Sequence, residues 1–383
     1  MILVPGQLDN PPAQSQGQIP ALDGVRGLAV GLMVWFHLCI DQLPGGWVSM
    51  SLFFPLSGFL ITRLMLLEKD RSGTVALGQF WRRRARRLIP THFALLVIVS
   101  LVLIMCGTWL RAEREAVMSS MLYSNNWWQI GHSVDYWSRF SGKLSPFEHL
   151  WSLSVEEQFY IVWPLLTVAA IKWARRPLAV LAALSCGLAA AGATYGIVIA
   201  WQGWGGSTDI YYNTGVRAAE LLPGAALAVL FAARPNVCTS ERARRLLDIA
   251  AGGCLIAILF ASLALDKAGP RFIADGGMSL VGFASVVIIA AAVRGGMVAS
   301  LLSLPLLRWL GTRCYSLYLW HWPIVALVTP VSSGLSGWWL VALQLALILS
   351  ATVLSYWLIE YPLRRQRIAQ TTTAAKAQQA LAS

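Results

Sequence analysis

Ten apolar runs of about twenty residues alternate with short polar segments along the 383-residue chain, at 24–43, 47–67, 89–110, 149–171, 177–201, 215–233, 247–265, 277–293, 311–330 and 338–359. A helix rising about 1.5 Å per residue needs roughly twenty residues to cross the hydrocarbon core of a bilayer, so each run has the length of a transmembrane helix. Inside lipid the backbone has no water to bond, and an open chain satisfies it by forming helices. The pattern predicts an all-α fold, a polytopic membrane helix bundle of about ten transmembrane helices. No polar block is large enough for a soluble domain. Residues 21–363 are therefore expected to form one membrane domain, between a flexible cytoplasmic segment 1–20 and a basic, disordered cytoplasmic tail 364–383.

Composition points the same way, with 57% hydrophobic residues, 13% charged residues and a mean hydropathy of +0.60, outside the range of soluble domains. The net charge of +12 is unevenly placed. With the N-terminus inside, 23 of the 30 Lys and Arg residues fall on one side, in 68–88, 172–176, 234–246, 294–313 and the tail, together with Arg26 and Arg63. This positive-inside bias predicts that both termini face the cytoplasm, and it accounts for the charge without a nucleic-acid partner. The first twenty residues hold no Lys or Arg, so they lack the basic region of a cleavable signal peptide and the first span is expected to be retained. Cysteines at 39, 106, 186, 238, 254 and 314 show no metal-ligand spacing and read as small packing residues, with no metal site expected.

Ionisable residues inside apolar runs are expensive and ask for a function. The first run carries Arg26 and His37, eleven residues apart. That spacing is about three full turns, so both side chains project from one face, roughly 16 Å apart along the axis. The strings "ALDGVRGLAVGLMVWFHL", "LFFPLSGFLITR", "FWRRRARRLIP", "HLWSLSVEEQFYIVWP", "GVRAAELLPGAALA", "LGTRCYSLYLWHWPI" and "YWLIEYPLRR" follow in order from residue 21 to 365. Together they resemble the acyltransferase-3 family of integral membrane O-acyltransferases. The resemblance implies transfer of an acyl group, usually acetyl, from a cytoplasmic acyl-CoA such as acetyl-CoA to a hydroxyl of a saccharide or glycosylated compound. It implies a multi-pass protein of the inner, cytoplasmic membrane, with acyl-CoA as co-substrate and no permanently bound cofactor. Some members carry a C-terminal hydrolase-like extracytoplasmic domain, and none is expected in the sequence to residue 383. A secondary transporter or a flippase for a small glycoside or lipid-linked sugar is the alternative class. A transporter should show paired repeats with broken helices in corresponding places, and no such correspondence is evident.

An alcohol attacks a thioester readily only if a nearby base takes its proton, and imidazole suits that task at neutral pH. His37 is the candidate general base, and the family's signature is such an Arg and His pair with ten residues between them. Arg26 is the candidate contact for an anionic donor; a membrane-side anchor is its plainer role. Asp23 either caps the helix or pairs with Arg26. The family's Arg-Arg, two residues, Arg pattern falls on Arg83, Arg84 and Arg87. Arg84 and Arg87, one turn apart, are placed to clamp a diphosphate, although topology alone also explains the cluster. Helical spacing puts His149, Ser152, Glu156 and Trp163 on one stripe and turns Glu157 away. Glu156 is the candidate catalytic carboxylate, and His149, Glu157 and His321 are candidates for acceptor binding or a proton relay. Ser57 lacks a nucleophile elbow and reads as packing. Arg217 and Glu220 are expected to pair with each other, and Glu360 to be a structural partner. The segment 111–148, rich in Trp and Tyr, reads as the longest outer loop.

Overall fold

The computed structural model describes residues 19–134, 145–265 and 269–363. The expectations for 1–18, for the tail 364–383 and for part of the 111–148 segment lie outside the described residues. The described residues form seventeen α-helices in this order: α1 Pro20–Leu38, α2 Met50–Ser72, α3 Leu77–Met105, α4 Arg111–Met121, α5 Asn125–Gly131, α6 Trp151–Trp173, α7 Pro177–Gln202, α8 Ser207–Tyr212, α9 Thr214–Ala233, α10 Glu241–Ala264, α11 Gly269–Ala274, α12 Gly277–Arg294, α13 Met297–Leu302, α14 Pro305–Thr312, α15 Cys314–Leu327, α16 Pro330–Ser333 and α17 Gly337–Ser355.

Eight helical stretches among the described residues are long and apolar enough to cross a membrane: 20–38, 46–72, 77–105, 177–202, 214–233, 241–264, 277–294 and 337–363. Two of the ten expected runs differ for local reasons. Helix α6 has 23 residues but carries Glu156, Glu157, Gln158 and Lys172 within them. The run 311–330 is divided at Arg313, which leaves α15 with 14 residues, about 21 Å of helix.

Two other boundaries depart from the pattern. The arginine cluster 82–87 is not a loop, because α3 begins at Leu77 and winds through it. Long Arg side chains lose little rotamer freedom in a helix, so a basic segment extends one as readily as an apolar segment does. The segment 111–148 is likewise not simply a loop. Helices α4 and α5 lie within it, and Ala116 of α4 joins a buried cluster with Leu95, Leu96, Val99 and Leu103 of α3 and Leu319 of α15.

The central crossing is between α2 and α9, where two glycines let the backbones touch. A Cβ on Gly58 would lie 1.9 Å from the carbonyl oxygen of Leu221, and one on Gly224 would lie 1.8 Å from that of Pro55. Without a hydrophobic drive between helices in lipid, such close backbone approach supplies the packing. It holds α2 against α9, and Gly192 brings α7 onto α9 in the same way, its Cβ position 2.5 Å from the Gly215 carbonyl oxygen. Helix α1 packs along α14 in the same manner, with Gly27 against Leu307 and Gly311 against Asp23, and the polar groups around His37 and Glu156 lie among α1, α2, α3, α6 and α15.

Candidate active site

Helix α1 opens with Pro20 at its first position and Asp23 in its first turn, both suited to a helix start. Asp23 does not cap the helix: its carboxylate accepts from Arg26 Nη1 at 2.8 Å, the i, i+3 pair that was the other alternative. His37 lies at the opposite end of the same helix, as the spacing required.

The ring of His37 is met there by His321 of α15, with centroids 5.1 Å apart, and by Trp322 at 4.8 Å. His321 is in turn 5.6 Å from His149, in the short turn Glu148–Leu150 that leads into α6. Three histidines from distant parts of the sequence thus converge. They line one narrow pocket with Met33, Phe36, Trp47, Met50, Trp151 and Tyr318. His149 and His321 are buried. Tyr318 is the member that the motifs did not single out. Its hydroxyl bonds the carbonyl of His149 and meets Ser152 Oγ at 2.5 Å. Its only advance signal is position, three residues before His321 and so on the same helical face.

Seven residues past His149, about 10 Å along the helix, a second polar group surrounds Glu156. Ser57 of α2 donates to Glu156 Oε1 at 2.8 Å, and the Tyr160 hydroxyl lies 3.4 Å from Oε2. Ser57 therefore has a hydrogen-bonding task where packing was expected. Glu157 does turn away from Glu156, but toward α3 and not merely into apolar surroundings. It accepts both Nε and Nη2 of Arg84, the latter at 2.8 Å, and the guanidinium lies 3.2 Å over the Tyr160 ring. Arg84 is thus engaged within the protein. Arg83 pairs with Glu68 at 2.9 Å, and Arg87 is exposed. Trp163, last of the stripe, donates its indole N–H to Thr62 at 2.7 Å, so the stripe meets α2 through Thr62 and Ser57 and α15 through Tyr318.

Arg217 and Glu220 pair as expected and are almost fully buried, at 1% exposure each. Arg217 also donates to the Tyr211 carbonyl at 2.7 Å and stacks on the Tyr211 ring at 4.1 Å, and Ser51 donates to Glu220. Tyr211 and Trp151 are in contact, so this pair backs one wall of the histidine pocket. Glu360 accepts from Ser316, in a π-helical turn after α17.

The site joins imidazoles that can accept a proton, a half-buried carboxylate and an arginine-bearing helix, the groups needed to move an acyl group between oxygen or sulfur atoms. Three similar proteins carry names that fit this chemistry. The peptidoglycan O-acetyltransferase OatA of Listeria monocytogenes serovar 1/2a is 34% identical over 355 residues, which is 92% of this chain and 56% of that protein. The putative peptidoglycan O-acetyltransferase YrhL of Bacillus subtilis is 34% identical over 359 residues, covering 92% of this chain and 56% of that one. The O-acetyltransferase OatA of Staphylococcus aureus strain NCTC 8325 is 32% identical over 359 residues, covering 91% and 57%. The chain spans just over half the length of these relatives. No solved structure matches. Residues 19–361 match the family described as the acyltransferase domain, acyltransferase-3, and with its apolar spans the chain belongs to this family of multi-pass membrane acyltransferases.

Proposed function

We propose that this protein is an O-acetyltransferase of the cytoplasmic membrane that takes an acetyl group from acetyl-CoA on the cytoplasmic side and delivers it to a hydroxyl of a cell-surface saccharide, with peptidoglycan as the first acceptor to test. The observation that carries the reading is the convergence of His37, His149 and His321 on one pocket within a bundle of this family. The names of the similar proteins support peptidoglycan as the acceptor.

In this reading the acceptor hydroxyl attacks the thioester carbonyl, the new C–O bond forms and the C–S bond breaks. His37 takes the hydroxyl proton, which ends on the departing thiolate. Glu156, held by Ser57 and Tyr160, fixes the geometry between α2 and α6. Arg26, Arg84 and Arg87 are the donor-phosphate contacts, with Asp23 and Glu157 orienting Arg26 and Arg84. The experiment is incubation of membranes carrying the protein with labelled acetyl-CoA and peptidoglycan fragments. Label should appear as a base-labile ester on the glycan. Label retained in CoA, with the fragments unmodified but moved across the bilayer, would favour a flippase.

A further inference from the structure

We propose that Tyr318 is a positioning residue that seats His149 against His321, while the Tyr318 and Leu319 carbonyls fix the two tautomers so that His321 presents Nε2, and His149 presents Nδ1, as proton acceptors in the pocket. The proposal rests on the acetyl-transfer reading for its catalytic meaning, and on hydrogen-bond donors and acceptors for its content. His321 Nδ1 lies 2.6 Å from the carbonyl oxygen of Tyr318. A carbonyl oxygen can only accept, so in the neutral ring the proton sits on Nδ1 and the lone pair on Nε2. By the same argument His149, whose Nε2 lies 3.2 Å from the Leu319 carbonyl, keeps its proton on Nε2 and its lone pair on Nδ1.

Tyr318 bears on both histidines, although the His149 ring itself is held by the Leu319 carbonyl. Its own carbonyl holds His321, and its hydroxyl donates to the carbonyl of His149. With the phenol hydrogen committed there, the short contact to Ser152 must be a bond that Ser152 donates. Its ring packs 5.3 Å from His149 and 5.6 Å from His321. The phenol therefore ties the turn Glu148–Leu150 to α15 and sets the separation of the two imidazoles. His321 stands between His37 and His149, its ring centroid 5.1 Å from the first and 5.6 Å from the second. A proton taken from the acceptor hydroxyl by His37 then has a second acceptor, His321 Nε2, and it returns by the same route to the thiolate, leaving the site unchanged.

The test is ¹⁵N NMR of histidine-labelled protein in nanodiscs at neutral pH, with assignments from His37→Gln, His149→Gln and His321→Gln. His321 should appear as the neutral Nδ1–H tautomer, the less populated form of a free imidazole in water, and His149 as the Nε2–H form. His321 found as Nε2–H, or doubly protonated, overturns the proposal. Kinetics of Tyr318→Phe give the second arm. The variant should lose about tenfold in kcat with both KM values within twofold of wild type, and Ser152→Ala should lose much less, because it leaves the Tyr318 to His149 bond in place. Equal losses in the two variants, or a loss confined to KM, would also overturn it. The NMR arm needs no substrate, so a failed acetyl-transfer assay with the expected tautomers would count against the proposed reaction and not against the assignment.

Discussion

A histidine serves as a base only while it is neutral, which ties its chemistry to pH in a direction that can be stated in advance. If His37 accepts the hydroxyl proton, activity should fall as pH drops from 8 to 5, because imidazolium has no lone pair to offer. His37→Gln should lower kcat about 10² to 10⁴-fold while protein abundance in the membrane holds, since a side-chain amide restores a hydrogen bond but takes up no proton at neutral pH. Turnover near wild type with the same pH profile would pass the role to His321. Arg217 calls for a different experiment, because it is buried in a pair and lies behind the pocket. Replacing one partner leaves a buried charge without its counterion, a loss of about 3–5 kcal/mol. Arg217→Met should therefore cut thermal stability sharply, and the double variant Arg217→Met, Glu220→Leu should recover much of it. At this scale the sequence exposes what spacing encodes. Arg26 and His37 share one helix, and Arg217 and Glu220 are three apart. Contacts between distant segments, such as Ser57 with Glu156 or Tyr318 with His149, have no periodic signature along the chain.

Helices are legible where composition is uniform and obscure where it changes within one element. Apolar runs located α7, α9 and α12 to within one residue, and α1, α2, α10 and α17 to within six, because lipid-facing and core-facing positions there are both apolar. The same signal missed the first three turns of α3, whose arginines read as loop although the backbone continues helical through them. It also missed the division between α14 and α15, since hydropathy does not register where a helix breaks at Arg313. Glycine is another signal that pattern alone cannot weigh. Gly58 and Gly187 look alike in sequence, but a Cβ on Gly58 meets the Leu221 backbone at 1.9 Å and one on Gly187 meets nothing within 4 Å. Overpacking typically costs about 1–3 kcal/mol, and more is expected where the obstructing atom is backbone and cannot turn aside. Gly58→Ala should accordingly lower the unfolding temperature in detergent and separate α2 from α9, whereas Gly187→Ala should leave it unchanged. Equal behaviour of the two would mean that the α2 and α9 crossing tolerates a wider spacing.

For the whole molecule, the proposed reaction requires two substrates that arrive from opposite sides of one membrane, and this makes orientation a mechanistic claim. The positive-inside count predicts that the turn between α2 and α3 lies in the cytoplasm, where the seven basic residues of 68–88, on the helix ends beside it, would meet an anionic donor. That orientation would put the segment between α15 and α17 on the outer face. Both segments have exposed positions for a probe, Thr74 in the first and Val331, 97% exposed, in the second. Cys106 and Cys186 are exposed thiols, so the experiment starts from a variant with all six native cysteines replaced. In that background Val331→Cys should react with a membrane-impermeant maleimide in intact cells. Thr74→Cys should react only after permeabilisation. The pair controls for expression and for intrinsic reactivity, because permeabilised samples should label both positions alike. If Thr74→Cys labelled in intact cells, the arginine helix would face away from the cytoplasmic pool of acyl-CoA, and the donor would have to be carried on the outer side instead.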